Sequence, residues 1–527
     1  MTRHDLELVS IPRMVLISAE KFGTAEAVVD LELGLRWNFH DVADRMLEAV
    51  RAAVAFGIEP GDRVAVWAPN SANWIVAALG VLGAGGVLVP MNTRFKGSEA
   101  AYILRRSGAK AVFTVPEFVG NDYVAMLRAE DVDVPVVLMN TAAPEGITNW
   151  PEFLARGASV TEDSARARIA AVTADDLSDI MFTSGTTGAP KGVMLTHGQS
   201  LRMYGYLSEI FTFAPGDRYL IIPPFFHTFG YKAGWMSCLL RGVCAIPQPV
   251  FDTDVVFQRL VDERVTILLG PPTLFLDVIR NPRRGEFDLS HLRVAVPAAA
   301  NVPESLYYQL RDELGFDVVL SAYGLTESSS VITTAEITDA LDDIANSVGR
   351  AARDVEIKLV DTDGAEVASG EPGEVLVRGF NVTRGYWDDP EATAAAIDSD
   401  GWLHSGDIGV LNDRGYLKIV DRKKDMVIVG GFNVYPAEIE KVLRQHENIV
   451  DVAVIGVPDE RMGEVGAAFV LAENLTEQQL IEWARERLAN FKVPRHIVFV
   501  DDLPRNASMK VIKPQLRAQW NSLQPSP

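Results

Sequence analysis

Leu177-Ser178-Asp179-Ile180-Met181-Phe182 runs directly into Thr183-Ser184-Gly185-Thr186-Thr187-Gly188-Ala189-Pro190-Lys191-Gly192. The first six residues read as a buried strand. The next ten hold three glycines, four hydroxyls and one lysine, a composition suited to a loop that wraps phosphate oxygens. Glycine lets main-chain N–H groups approach closely, hydroxyls add donors, and lysine adds charge. A Walker A loop would close on Gly-Lys-Ser/Thr, whereas this one closes on Pro190-Lys191-Gly192. The segment therefore points to nucleotide chemistry of another kind.

On both sides of this loop, apolar strand-like runs alternate with helical patterns for about 320 residues. Val64–Ala68, Val87–Pro90 and Ala111–Val115 are predicted strands, with helices over Asn73–Leu82 and Ser98–Arg106 between them. Tyr219–Ile222, Thr266–Leu269, Arg293–Val296 and Val318–Leu320 continue the strands, and Pro303–Leu314 is helical. This alternation predicts α/β layers with largely parallel sheets. Beyond about residue 350, Val355–Val360 and Glu374–Arg378 are short strands next to Asp-Gly and Pro-Gly turns, which predicts a small β-rich subdomain. The charged run Asp421-Arg422-Lys423-Lys424-Asp425 precedes a compact α+β end with helices at Ala437–Leu443 and Glu477–Leu488 and strands at Val452–Val457 and Ala467–Leu471. The expected division is a large domain over 1–422 and a small mobile domain over 423–527.

The 527 residues exceed one ordinary domain. Hydrophobic residues make up 48% and charged residues 23%, the balance of a soluble globular protein. The longest apolar run, Ile75–Pro90, is broken by Gly83, Gly85 and Gly86 and is too short to span a bilayer. No integral membrane segment and no secretory signal are expected. The net charge of −22 opposes non-specific binding to nucleic acid or anionic membrane. Cys238 and Cys244 form no CxxC pair, so a reducing cytoplasm fits better than a disulfide framework or a structural metal site.

Further motifs follow in order: Pro224-Phe225-Phe226-His227, Tyr323-Gly324-Leu325-Thr326-Glu327, Gly401-Trp402-Leu403-His404-Ser405-Gly406-Asp407, Gly430-Gly431-Phe432-Asn433-Val434-Tyr435-Pro436 and Leu503-Pro504-Arg505-Asn506-Ala507-Ser508-Met509-Lys510. Together with the opening loop and the charged run, the set resembles the adenylate-forming superfamily from about Leu16 to Gln515. Within that superfamily it looks most like the acid:CoA ligases. Phe225–Gly234 and Gly270-Pro271-Pro272-Thr273 are similar to actinobacterial ligases for medium acyl chains or for the propanoate side chain of a partly degraded steroid ring.

The resemblance implies a two-step reaction that consumes ATP with Mg²⁺ and a carboxylic acid, then coenzyme A. Thr183, Ser184, Gly185, Thr186, Thr187, Gly188 and Lys191 would hold the β- and γ-phosphates. Tyr323 would stack on adenine beside Ala299 and Gly324, Thr326 would donate to the α-phosphate, and Glu327 would hold Mg²⁺. Asp407 would accept the ribose hydroxyls with help from Arg422. Lys510 would offset charge in the adenylation transition state. Lys424 would hinge the small domain, and Gly430, Gly431 and Phe432 would then face the pantetheine arm.

His227 is expected to gate or position, and Phe226, His227, Phe229, Gly230, Lys232 and Ala298 to line the acyl pocket. Lys232 is read either as a partner for a distal substrate oxygen or as an exposed lysine at a helix start. Two positions depart from the family pattern: Met509 stands where glycine usually precedes the lysine, and Ala298 takes a glycine position. A homodimer is left open. Two alternatives also stand: an acyl-AMP ligase that loads a carrier-protein thiol, and a non-catalytic nucleotide or acyl-CoA sensor.

Overall fold

Valine- and isoleucine-rich strands buried on both faces fit parallel sheets covered by helices, and two such seven-stranded sheets form the larger part of the chain. The structure, a computed structural model, describes residues 9–139, 142–183, 190–300, 302–429, 432–459, 461–506 and 510–523. One sheet orders its strands as Lys191–Thr196, Leu177–Thr183, Val87–Pro90, Arg63–Trp67, Ala111–Thr114, Val136–Leu138 and Thr148–Asn149. All its pairs are parallel except the hairpin at the 191–196 edge. The other runs Val318–Val319, Val294–Pro297, Ile267–Gly270, Arg218–Ile221, Cys244–Pro247, Glu26–Asp30 and Leu35–Asn38, again parallel until its last hairpin. The α/β expectation is met, and the strands read from the sequence in these two sheets lie within a residue of their observed bounds, whereas Val452–Val457 and Ala467–Leu471 start three and four residues after the observed strands Ile449–Asp459 and Gly463–Ala472.

The helix Ala72–Gly83 shows how the layers close. Every residue in it but Asn73 is buried, as its apolar character all round requires. Gly80 lies so close to the helix Phe39–Phe56 that an added Cβ would sit 2.7 Å from the Cβ of Ala49. Ser71 caps the helix through the Trp74 N–H. Among the described residues no helix is long and apolar enough to cross a membrane.

The chain divides into two compact units, 1–356 with 377–403, and 357–376 with 404–527. Most of a four-stranded sheet, in the order Val355–Val360, Pro372–Gly379, Leu403–Leu411 and Leu417–Arg422, falls in the second unit. The C-terminal part of that unit builds a separate sheet. Its longest pair, Ile449–Asp459 with Gly463–Ala472, is antiparallel, and His496–Phe499 adds in parallel. Helices Pro436–Leu443, Glu477–Arg485 and Lys513–Leu523 contribute Ile439, Leu480 and Leu516 to a core with Val454 and Phe469.

Candidate active site

Strand pairing fixes the two residues that flank the expected phosphate loop. Thr183 and Lys191 are cross-strand partners at the open end of the antiparallel hairpin. Ser184, Gly185, Thr186, Thr187 and Gly188 lie outside the described residues. Lys191 emerges half-buried, its Nζ 5.0 Å from the ring centroid of Tyr386.

Tyr323 sits in the short strand Ala322–Tyr323, paired with Thr333–Thr334. Gly324 follows because the chain doubles back on it: a Cβ there would lie 2.3 Å from the Ser330 carbonyl carbon. Thr326 and Glu327 open the one-turn 3₁₀ helix Thr326–Ser328. Ser329 and Ser330 then hold φ of 53° and 63°, a left-handed conformation that non-glycine residues adopt at a cost. That reversal keeps Tyr323, Thr326 and Glu327 within one tight turn. The Tyr386 hydroxyl donates to Glu327 Oε1 at 2.9 Å.

Ala298 and Ala299 follow the strand Val294–Pro297. The backbone demand falls at Ala299, whose φ is 67°, and not at Ala298. The departure noted at Ala298 therefore adds a methyl without left-handed strain.

In the second unit, Asp407 and Arg422 face each other in register across antiparallel strands. Arg422 Nε lies 2.7 Å from Asp407 Oδ1, and the carboxylate side chain is only 2% exposed. Lys510 opens to solvent along part of its length, yet its ammonium is crowded enough that desolvation lowers its pKa. The Arg422 charge adds to that effect and Asp407 opposes it. Lys510 is tied to Asn506 twice: its N–H donates to Asn506 Oδ1 at 2.9 Å, and its carbonyl accepts from the Asn506 N–H at 2.8 Å. The structure thus brings the two expected ribose residues and the expected catalytic lysine into one electrostatic group. Met509 lies outside the described residues.

Lys424 is exposed, in the turn Lys423–Asp425. Desolvation lowers its pKa, Asp425 counteracts, and Arg422 adds to the lowering. Gly430, Gly431 and the Phe432 side chain lie outside the described residues.

The expected acyl wall divides in two. Phe226 and Phe229 are half-buried and His227 is exposed, whereas Gly230 to Gly234 are buried. His227 N-caps the short helical turn Thr228–Gly230, its Nδ1 accepting from the Phe229 N–H at 3.2 Å. Gly230 packs on the preceding prolines, where a Cβ would lie 2.2 Å from the Pro223 oxygen. The π-helix Tyr231–Met236 continues, with Gly234 off helical geometry.

Both readings of Lys232 are corrected here. It is fully buried, its Nζ 2.9 Å from Asp179 Oδ1 as an ion pair and 2.8 Å from the Ser200 hydroxyl. Burial in water-poor surroundings requires such a partner, so the ammonium is neither solvated nor waiting for a substrate oxygen.

With this geometry in place, the family comparisons are decisive. The model described as AMP-binding enzyme matches residues 16–387, and that of the AMP-binding enzyme C-terminal domain matches residues 438–510. The chain belongs to the AMP-binding enzymes. A 3-[(3aS,4S,7aS)-7a-methyl-1,5-dioxo-octahydro-1H-inden-4-yl]propanoyl:CoA ligase of Rhodococcus jostii is 47% identical over 96% of this chain and 98% of its own length. A ligase of the same description from Mycobacterium tuberculosis is 47% identical over 92% and 94%. Among solved structures, an anthranilate CoA ligase in complex with anthranoyl-AMP is similar with a TM-score of 0.87 and 25% identity, covering 99% of each chain. This AMP-binding enzyme is an AMP-forming acid–thiol ligase.

Three groups that contact the expected residues or their neighbours were not read from the sequence. Tyr386 follows Arg384-Gly385, and only that glycine hinted at a constrained strap. Glu374 accepts from Lys423 Nζ at 2.8 Å and lies 3.3 Å from His404 Nδ1. Burial alone would raise its pKa, but these two partners outweigh it and the net direction is down. Asp179 lies in the very strand that leads to the phosphate loop, and its alternating neighbours gave no sign of a buried charge.

Proposed function

We propose that this ligase activates a cyclic, ketone-bearing propanoate, converting it through an acyl-adenylate to its CoA thioester. The observation that carries the substrate class is the 47% identity, over nearly the whole of both chains, to the Rhodococcus ligase for a bicyclic dione propanoate. A substrate carboxylate oxygen attacks the α-phosphorus of ATP, and the bond to pyrophosphate breaks. The CoA sulfur then attacks the acyl carbon and AMP leaves.

In this reading each residue has a distinct part. Lys191 and the Thr183–Gly188 loop take the outer phosphates. Tyr323 stacks on adenine beside Ala299 and Gly324, and Thr326 donates to the α-phosphate. Asp407, buried and held by Arg422, takes the ribose hydroxyls. Lys510 offsets the negative charge that gathers as carboxylate and phosphate meet, and its crowding near Arg422 and Asp407 supports that part.

Glu327 fits Mg²⁺. Tyr386 engages one carboxylate oxygen, and among the described residues the other carries no hydrogen-bond partner. A single carboxylate supplemented by phosphates and water is the usual protein contribution to this hard cation. Mg²⁺ supplies charge neutralisation at the phosphates. His227 and the adjoining phenylalanines position the acid. The part beyond residue 422 acts as a mobile domain hinged at Lys424, so that the Gly430–Phe432 segment meets the pantetheine arm in the second step. A cytoplasmic setting supplies ATP and CoA.

The test is a pyrophosphate-release screen over short, medium, long, aromatic and steroid-derived acids, with mass detection of the CoA product. A kcat/KM highest for a ring-bearing keto-propanoate supports the reading. A preference for straight-chain acids refutes the substrate class, and product formed on a carrier protein but not on free CoA refutes the ligase reading.

A further inference from the structure

Two motifs of this site meet at a side chain that neither of them contains. The strap Arg384–Trp387 runs along the edge strand Lys191–Thr196. Trp387 donates its N–H to the Gly192 carbonyl at 2.7 Å, Met194 donates to the Gly385 carbonyl at 3.1 Å, and Val193 pairs with Tyr386 in an antiparallel bridge. Thr383, three residues earlier, donates its N–H to the Glu327 carbonyl at 2.7 Å and its hydroxyl to the Met194 carbonyl at 2.7 Å. Gly385, at φ 118°, could not carry a side chain, since a Cβ would lie 2.6 Å from the Thr393 methyl. Tyr386 is therefore fixed from the phosphate-loop strand on one side and from the Glu327 turn on the other.

Resting on the function proposed above, we propose that Tyr386 is a positioning residue for the metal-bound triphosphate: its hydroxyl orients the Glu327 carboxylate toward the cation, and its ring seats the Lys191 ammonium. The hydroxyl donates to Glu327 Oε1 at 2.9 Å, while Lys191 Nζ stands 5.0 Å from the ring centroid. A cation over an aromatic face gains modest attraction without being neutralised. A carboxylate that accepts one neutral hydrogen bond keeps its charge and its other oxygen. The tyrosine thus engages a positive and a negative group through different parts of one rigid side chain. Each charge stays available, Lys191 to phosphate oxygens and Glu327 to the metal, where direct pairing between them would quench both.

The experiment compares Tyr386→Phe, Tyr386→Leu and Glu327→Gln in the full-length protein. Mn²⁺ binding with α,β-methylene-ATP is followed by electron paramagnetic resonance, metal-free binding of the same nucleotide by calorimetry, and Mg²⁺ activation by pyrophosphate release. Tyr386→Phe keeps the ring and loses the hydroxyl. Its Mn²⁺ affinity is expected to fall about tenfold, near the lower end for a lost hydrogen bond to a charged group, with metal-free nucleotide binding and thermal midpoint unchanged. Tyr386→Leu is expected to lose metal-free nucleotide affinity as well, because Lys191 loses its seat. Wild-type Mn²⁺ affinity in Tyr386→Phe, beside a loss in Glu327→Gln, overturns the inference and leaves the proposed function standing. Unchanged Mn²⁺ affinity in Glu327→Gln overturns the metal assignment of Glu327, and this inference with it.

Discussion

Replacing Lys232 with methionine keeps most of the buried volume and removes one charge from a sealed pair. The side chains of Lys232 and Asp179 are both 0% exposed. After the substitution the Asp179 carboxylate retains the Ser178 hydroxyl at 2.6 Å but loses its only ion-pair partner among the described residues. Breaking a buried pair by deleting one member costs about 3–5 kcal/mol, mostly the penalty of the stranded charge. Unfolding entropy of about 2.1 cal/mol/K per residue, over a unit of roughly 400 residues, converts each kcal/mol to about 1 °C. The single variant should therefore melt about 3–6 °C below wild type. Asp179→Asn combined with Lys232→Met removes both charges and should recover more than half of that loss, because a neutral amide can still bond to Ser178. Differential scanning calorimetry on wild type, both single variants and the double variant closes the cycle. A Lys232→Met midpoint within 1 °C of wild type, as an order-of-magnitude bound, or a double variant no better than the single, would refute the argument that the pair is charged and mutually dependent.

Other consequences are as direct. Burial holds the His197 imidazole down to about 3, with Asp176 raising and Lys232 further lowering it, so the folded protein leaves it neutral while the unfolded chain protonates near the ordinary 6.5. Stability present above pH 6.5 is lost as pH falls toward 3, by about 1.4 kcal/mol at pH 5.5; His197→Gln, which can still accept from the Ile11 N–H, should lack that increment in thermal unfolding at pH 7.5 and 5.5. Ala299→Gly relieves a φ of 67° and should leave stability equal or up to about 1 kcal/mol higher, whereas Ala298→Gly should lower it by about 0.5–1 kcal/mol; the reverse order in urea titrations would contradict the backbone assignment. Lys510→Ala should abolish pyrophosphate release yet leave thioester formation from supplied acyl-adenylate largely intact, and equal loss of both steps would remove Lys510 from the first half-reaction.

The parts of this fold that could be read in advance are those written by local physics. Apolar four-residue runs between helical patterns located most of the central strands, since burial on both faces leaves a continuous signal, but Val136–Leu138 and Cys244–Pro247 were not read. The hairpin Glu26–Asp30 with Leu35–Asn38 went unread although Gly34 marks its turn, because its residues mix charge with apolar side chains at a sheet edge. The π-helix Tyr231–Met236 was equally invisible: Gly234 leaves helical geometry there, and no periodicity encodes that.

Pairings across long separations escaped for a different reason. Lys232 and Asp179 are buried together only because their side chains meet from two elements far apart in sequence, the π-helix and the loop-bearing strand, and nothing local to either residue names the other. A lysine flanked by Tyr231 and Ala233 offered the choice between solvent and substrate, and the structure supplied a third answer. The same logic explains Tyr386. Its hydroxyl and its ring acquire meaning only where a strap pairs with a sheet edge, so the residue that spans two recognisable motifs has no motif of its own. Motif residues mark where substrate atoms go; the residues that hold them in place are found by following who touches them.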